Sequence, residues 1–311
     1  MNFIIMGISE FAIHCTQALI DSGANILAFI SKPESSRPNN PVSFSAFLKE
    51  KNIPYHKITD INTDEGIQLL RKYKPDYIFG ALTNILKESV LEIPRYYCIG
   101  THPTDLPFNR GRHPLHWLIS MGIKESKLSF FILDEGIDTG NILAQTPYKI
   151  SSSDDIGDVI NNMNKAAYLG MRDVYKKLFS NPKDPGVIQD SSKINYWRKR
   201  TPHDVTIDLR MSANLITRIV RSFTLPYPCA ILIYKNYKIK IKKAKISKTK
   251  LDADELQRIE PGRIISVDEK ILIVKVDDKI IELECVGRIP AELLLEKYIH
   301  PPSKYFSDQT I

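Results

Sequence analysis

The chain carries only four cysteines, Cys15, Cys98, Cys229 and Cys285. None sits in a CxxC pair or a Cys/His spacing that would close a zinc site, so the thiols read as reduced and structural and no metal is expected. That is the habit of a cytoplasmic protein. No stretch approaches about 18 uninterrupted apolar residues, which excludes a membrane-spanning helix. Met1 to Gly7 lacks a basic flank and the chain turns polar at Ser9-Glu10, so no secretory leader is expected. Glycine-rich phosphate loops are missing as well. Gly7 begins no GxGxxG and no GxxxxGK precedes a Ser or Thr, which argues against dinucleotide and P-loop chemistry.

What is present is ordinary globular composition: 311 residues, 43% apolar and 25% charged, enough for about two domains. The net charge of +7 is local. Lys235 to Lys250 holds eight lysines and no acid, and without it the balance is −1. In Tyr237-Lys238-Ile239-Lys240-Ile241-Lys242 the lysines alternate with apolar residues, as on a half-buried strand with a solvated face. An RNA-binding stripe is the alternative, but arginine and stacking aromatics are missing from it.

The first 150 residues alternate strand and helix. Apolar runs at Phe3–Gly7, Ile26–Ile30, Tyr77–Ala81 and Tyr97–Gly100 alternate with helical spacing at Phe11–Ser22, Ser43–Lys51 and Gly66–Tyr73. This order predicts an α/β fold with a parallel sheet covered on both faces, and ligands beyond the carboxyl ends of its strands. A later pair of strands is expected at Leu128–Leu133 and Ile142–Ile150, then a long amphipathic helix from a cap at Asp154-Asp155 to about Phe179. We read residues 1–180 as one domain and the turn-rich 181–204 as a linker. Residues 205–311 are expected to hold one helix, five short strands in a small barrel or sandwich, and a closing helix at Ala291–Lys297.

Chemistry-bearing residues are dense in Gly100 to Trp117, which begins at the end of a buried strand and holds three His, two Arg, an Asp and an Asn. A second segment, Leu133-Asp134-Glu135-Gly136-Ile137-Asp138-Thr139-Gly140, could present an acid to the same cleft. A His backed by an Asp is acid–base equipment. From spacing alone, a lone strand-end His such as His102 is more often a satisfied structural residue, and Asp138-Thr139-Gly140 reads equally as a turn. His113 and His116 stand at i, i+3; capping and packing explain them better than a metal, since no third ligand is near.

Together the two segments resemble the folate-dependent formyltransferases, which include methionyl-tRNA formyltransferase and the nucleotide-sugar N-formyltransferases. His102 matches the family His, Asp105-Leu106-Pro107 the folate loop, Arg110-Gly111 the following pair, and Asp138, 36 residues after His102, the family Asp. Arg198 to Asp204 resembles the interdomain segment and Pro226-Tyr227-Pro228 the entry to a C-terminal barrel. The resemblance implies a Rossmann-like catalytic domain followed by a small OB-like β-barrel. It implies N10-formyltetrahydrofolate as co-substrate, held by Leu82, Asn84, Leu86, Asp105, Leu106 and Pro107, with no metal. It further implies that His102 supports the developing oxyanion while Asp138 orients His102 and relays a proton. In one place the chain departs from the family: its Asn falls on Gly100. A lost oxyanion donor costs about 3 kcal/mol, or about 10²–10³ in rate, so Asn84 is considered as a substitute and a non-catalytic or altered relative as an alternative.

The acceptor is read from two places. The segment after the second strand, Lys32 to Pro41, is short and nearly uncharged and offers little to an RNA backbone. Arg110-Gly111-Arg112-His113-Pro114-Leu115-His116-Trp117 resembles the RGRxPLxW of sugar formyltransferases, which implies Arg110, Arg112 and Thr104 on the substrate side. The expected acceptor is the amine of an activated amino sugar for surface glycans, with methionyl-tRNA as the alternative. No membrane partner is expected, and a homodimer is compatible with the reading.

Overall fold

The structure, a computed structural model, describes residues 1–36, 43–81, 85–249 and 251–301. Leu82, Asn84 and residues 37–41 of the loop read above lie outside them. The chain divides into two compact units. One comprises residues 1–114, 125–150 and 159–198, the other residues 115–124, 151–158 and 199 onward.

In the first unit the strands are β1 (Asn2–Gly7), β2 (Asn25–Ser31), β3 (Tyr55–Lys57), β4 (Tyr77–Ala81), β5 (Tyr97–His102), β6 (Arg110–Gly111), β7 (Glu125–Ile132), β8 (Ile142–Lys149) and β9 (Tyr196–Trp197). Seven of them form one sheet in the order β3-β2-β1-β4-β5-β7-β8. β1 to β5 run parallel, and β7 and β8 antiparallel. The sheet is therefore mostly parallel and Rossmann-like. Phe3, Ile4, Ile5, Ile78, Phe79 and Ile99 are fully buried, as a strand covered on both faces requires. Helices α1 (Glu10–Asp21), α2 (Ser45–Glu50), α3 (Asp64–Tyr73) and α4 (Glu88–Leu91) lie in its crossovers; most of α6 (Ile156–Ser180) also belongs to this unit, whereas α5 (Pro114–Met121) belongs, beyond Pro114, to the other.

α6 has the expected boundaries and a clear cause. Ile156, Val159, Met163, Ala167, Met171, Val174 and Leu178 are buried at helical spacing, giving one apolar face. The Asp155 side chain accepts the backbone N–H groups of Gly157 and Asp158 at 2.8 and 3.2 Å, capping the first turn.

Residues 181–198, expected to be a linker, are stitched into this unit. Tyr77 Oη donates to the Pro182 carbonyl at 2.6 Å and Tyr97 Oη to the Asp184 carbonyl at 3.1 Å. Val187 bridges Ile142, and β9 pairs with β6. The turn residues read as loop, but long-range hydrogen bonds order the segment.

The second unit carries β10 (Thr206–Ile207), β11 (Ala230–Tyr234), β12 (Tyr237–Ile246), β13 (Ile264–Val267), β14 (Ile271–Lys275) and β15 (Ile280–Cys285), with helices α7 (Ala213–Ser222) and α8 (Ala253–Gln257). One sheet runs β10-β11-β12-β15-β14-β13 and is antiparallel except at β10. The helix expected at Ala291–Lys297 is only a 3-10 turn over Ala291–Leu295. Beyond it the chain goes extended, because Lys297 and Ile299 bond to Ile264 and Gly262 beside β13. On β12, Ile239, Ile241 and Ala244 are buried and the lysines face out. Lys242 and Lys245 pair with Glu284 and Glu282 of β15 at 2.7 and 2.8 Å. No helix among the described residues is long and apolar enough to cross a membrane.

Candidate active site

His102 is the last residue of β5, which lies between parallel β4 and antiparallel β7. It is 4% exposed. Its Nε2 lies 2.8 Å from the Asn109 carbonyl oxygen, and its Nδ1 3.3 Å from Asp138 Oδ2. A carbonyl only accepts, so Nε2 carries hydrogen and donates to Asn109. Burial holds the imidazole below its ordinary range, opposed by the Asp138 carboxylate and the Asn109 carbonyl and reinforced by the Arg110 charge. A neutral ring with its hydrogen on Nε2 turns the Nδ1 lone pair towards Asp138. A proton taken up by the pair therefore belongs in the gap between Nδ1 and Oδ2.

This geometry revises one expectation. With Nε2 committed to Asn109 and Nδ1 to Asp138, His102 has no N–H free for an oxyanion. Asp138, its side chain 16% exposed, is the more open member of the pair.

Asp138 stands on the loop between β7 and β8, held from several directions. Oδ2 accepts the Gly111 N–H at 2.9 Å. The Asp134 carboxylate accepts from Gly136 N and Thr139 Oγ1 at 3.1 and 2.5 Å, closing the turn that carries Asp138. At Gly140 a Cβ would lie 1.6 Å from the Ile132 carbonyl oxygen, so only glycine lets the loop return against β7. The segment is a turn, and the turn sets the Asp138 carboxylate beside His102.

Residues 189–197 had no part in the sequence reading of the site, yet they reach both partners of His102. Gln189 Nε2 donates to the Asp138 and Gly140 carbonyls at 2.9 and 2.7 Å. Its Oε1 accepts from Arg110 Nε and Nη2 at 3.2 and 2.7 Å. Asn195 and Asn109 bond reciprocally, Asn109 N to Asn195 Oδ1 at 2.8 Å and Asn195 Nδ2 to Asn109 Oδ1 at 2.9 Å. No local motif announces these residues; they stand in a turn-rich segment far along the chain from His102.

The structure places the expected ligand contacts in different settings. Arg110 is buried, with Gln189 and the Tyr196 hydroxyl on its guanidinium, so it braces the site. Thr104 is fully buried and its hydroxyl donates to the Phe108 and Asn109 carbonyls, shaping the loop from within. Leu86 belongs to the core with Ile4, Ile78 and Val90. Leu106 is buried, its backbone fixed by Ser129 and Gln145. Asp105 pairs with Lys127 at 3.1 Å, both partly exposed. Pro107 follows in the same loop with partial exposure. Arg112 is exposed; its backbone N–H bonds to the Trp197 carbonyl at 3.0 Å, and its guanidinium has no partner among the described residues.

Gly100 also has a physical account. A Cβ there would lie 2.5 Å from Leu133 Cδ2 and 3.2 Å from Phe131 Cζ. The space a side chain at 100 would enter is filled by Leu133. His116 is buried, Nδ1 2.5 Å from the Ser222 carbonyl and its ring edge-on to Phe223 and Tyr227, which bears out packing. No cluster of three metal-ligating side chains occurs among the described residues.

Ile85, Phe108 and Ile137 are large apolar side chains left exposed on the loops after β4, β5 and β7. Such side chains suit a flat heteroaromatic ring.

Comparison with known proteins bears on this arrangement. The formyl transferase family model matches residues 3–174, and the model of its C-terminal domain residues 199–290. The methionyl-tRNA formyltransferase of Alkaliphilus oremlandii is 30% identical over 294 residues, 91% of each chain. Among solved structures, an N-formyltransferase from Helicobacter canadensis, described in complex with folinic acid and dTDP-3-aminofucose, superposes with a TM-score of 0.66 at 16% identity, covering 91% of this chain and 98% of that one. The methionyl-tRNA formyltransferase from Clostridium thermocellum does so with a TM-score of 0.59 at 20% identity, covering 92% and 99%. The chain therefore belongs to the formyl transferase family, enzymes that draw their formyl group from N10-formyltetrahydrofolate.

Proposed function

We propose that this enzyme formylates the amine of a nucleotide-linked amino sugar, with His102 and Asp138 as its acid–base pair. The observation that carries the acceptor reading is Arg112. Its guanidinium is exposed and unpartnered among the described residues, two positions beyond Arg110 and adjacent to Gly111, whose N–H holds Asp138. A free planar guanidinium on the residue next to Gly111 suits bidentate binding of a diphosphate. The lysines of β12 that pair with Glu282 and Glu284 are partly neutralised, which supports weak attraction for a nucleic-acid backbone.

When bound, N10-formyltetrahydrofolate supplies an activated formyl carbon. The Asp105-Leu106-Pro107 loop, with Phe108 and Ile137, would hold it. An attacking amine becomes cationic and sheds a proton. Asp138 would receive that proton, His102 Nδ1 behind it would share it, and the pair would return it to the folate N10 as the formyl C–N10 bond breaks and tetrahydrofolate leaves, so the pair ends the turnover as it began. The Asn109 carbonyl keeps the ring in the tautomer that leaves Nδ1 open to Asp138.

A second reading has its own support. The curated relatives of 26–30% identity are methionyl-tRNA formyltransferases, which favours the methionyl amine as acceptor. A panel of nucleotide-linked amino sugars and charged initiator tRNA, each incubated with N10-formyltetrahydrofolate, separates the two by tetrahydrofolate release. Release with a sugar supports the proposal, and release with the tRNA alone overturns it.

A further inference from the structure

The segment from Gln189 to Trp197 touches both sides of His102. On one side, Gln189 spends all four hydrogen-bonding sites of its amide, two accepting from Arg110 and two donating to the carbonyls that flank Thr139. It is 8% exposed. Arg110 adjoins Gly111, whose N–H holds the Asp138 carboxylate. Backbone and side chain of Asp138 are therefore gripped by one closed ring of contacts. On the other side, the Asn195–Asn109 amide pair fixes Asn109, which sits at φ 62, in the left-handed region. The Asn109 carbonyl takes the His102 Nε2–H. Arg110 and Gly111 then pair with Tyr196 and Trp197, which registers the segment against the site.

We propose that Gln189 and Asn195 are positioning residues that set the tautomer and proton affinity of the His102–Asp138 pair, and that residues 189–197 are a functional strap. The inference rests on the catalytic reading of that pair. The charged groups acting on His102 are Asp138 from the β7–β8 loop and Arg110 from β6; Gln189 touches both. Loosening Gln189 withdraws Asp138 and lowers the proton affinity of His102. A carboxylate at 189 gives up the two N–H donations to the 138 and 140 carbonyls but sets a full negative charge against Arg110, and the added charge outweighs the lost neutral contacts and raises it. Freeing Asn109 removes an acceptor that favours the protonated ring and lowers it.

The test is carried out on the full chain, with the His102 ring nitrogens followed by long-range ¹H–¹⁵N NMR and assigned by His102→Gln. Gln189→Leu and Asn195→Ala should move the His102 titration to lower pH and Gln189→Glu to higher pH. Each should lower kcat about 10-fold or more, since small displacements at a reacting centre cost up to about 10². The KM for N10-formyltetrahydrofolate should stay within about threefold. A general loss of packing does not move one histidine in opposite directions in two variants at one position. Asn195 is exposed, so its variant keeps the test open even if Gln189→Leu fails to fold. A wild-type His102 titration in Gln189→Glu and Asn195→Ala overturns the proposal. His102→Gln and Asp138→Asn run alongside: retained turnover in both overturns the catalytic reading itself, whereas loss there with wild-type turnover in the strap variants overturns the strap alone.

Discussion

Asp138 Oδ2 lies 3.3 Å from His102 Nδ1 and accepts the Gly111 N–H at 2.9 Å, so one carboxylate oxygen both faces the buried imidazole and anchors the segment carrying Arg110 and Arg112. Asp138→Asn keeps an acceptor for Gly111 but not the proton-sharing carboxylate. We expect kcat to fall about 10²–10⁴-fold, the usual span for a lost acid–base group, with N10-formyltetrahydrofolate binding near normal. Turnover together with folate affinity by fluorescence checks this. Collapse of folate binding makes Asp138 an organiser of the pocket.

The pH dependence follows from the sign of the His102 shift. Burial lowers its proton affinity in the fold below the unfolded value of about 6.5. Between the two values the unfolded chain binds more protons, so stability rises with pH. That contribution is fully present above about pH 6.5 and is lost as pH falls through the folded value. Wild type should lose more melting temperature than His102→Gln between pH 7.5 and pH 5 (scanning calorimetry). The acid limb of kcat/KM should lie below about pH 6.5; a limb above about pH 7 contradicts a neutral imidazole.

Gly100 and Leu133 form a size-matched pair. Gly100→Ala drives a methyl into Leu133 and should destabilise by about 1–3 kcal/mol, the typical cost of overpacking. Leu133→Ala alone should also destabilise, by cavity formation. In the double variant the two losses should be less than additive, read from urea midpoints in a double-mutant cycle. Full additivity contradicts the contact.

Arg112→Ala should leave melting temperature and kcat nearly unchanged while raising acceptor KM about tenfold or more, the pattern of lost ground-state binding. Steady-state kinetics with the best acceptor checks it. An unchanged KM removes Arg112 from the acceptor site.

Much of this was legible in the sequence because it rests on local pattern. The buried run Tyr97–Gly100 places His102 at a strand end, and the Gly and Asp spacing of 134–140 makes a turn that presents an acid. Side-chain direction was not legible. Arg110 and Arg112 differ by two residues, yet one is buried on Gln189 and the other exposed. Thr104 and Leu86 have suitable chemistry and point inward. β6, β9 and β10 span two residues each, too few to show a period. Gln189 matters only through bonds spanning 49 to 79 residues, which no window along the chain can reveal.

A sugar amine and the amine of methionyl-tRNA compete directly for one formyl donor. Radiolabelled N10-formyltetrahydrofolate, supplied with equal concentrations of charged initiator tRNA and the best nucleotide-linked amino sugar in one tube, partitions its label according to kcat/KM. Label is expected on the sugar, lost in His102→Gln and Asp138→Asn and reduced in Arg112→Ala. Label on the methionyl-tRNA at a comparable or greater rate contradicts that expectation.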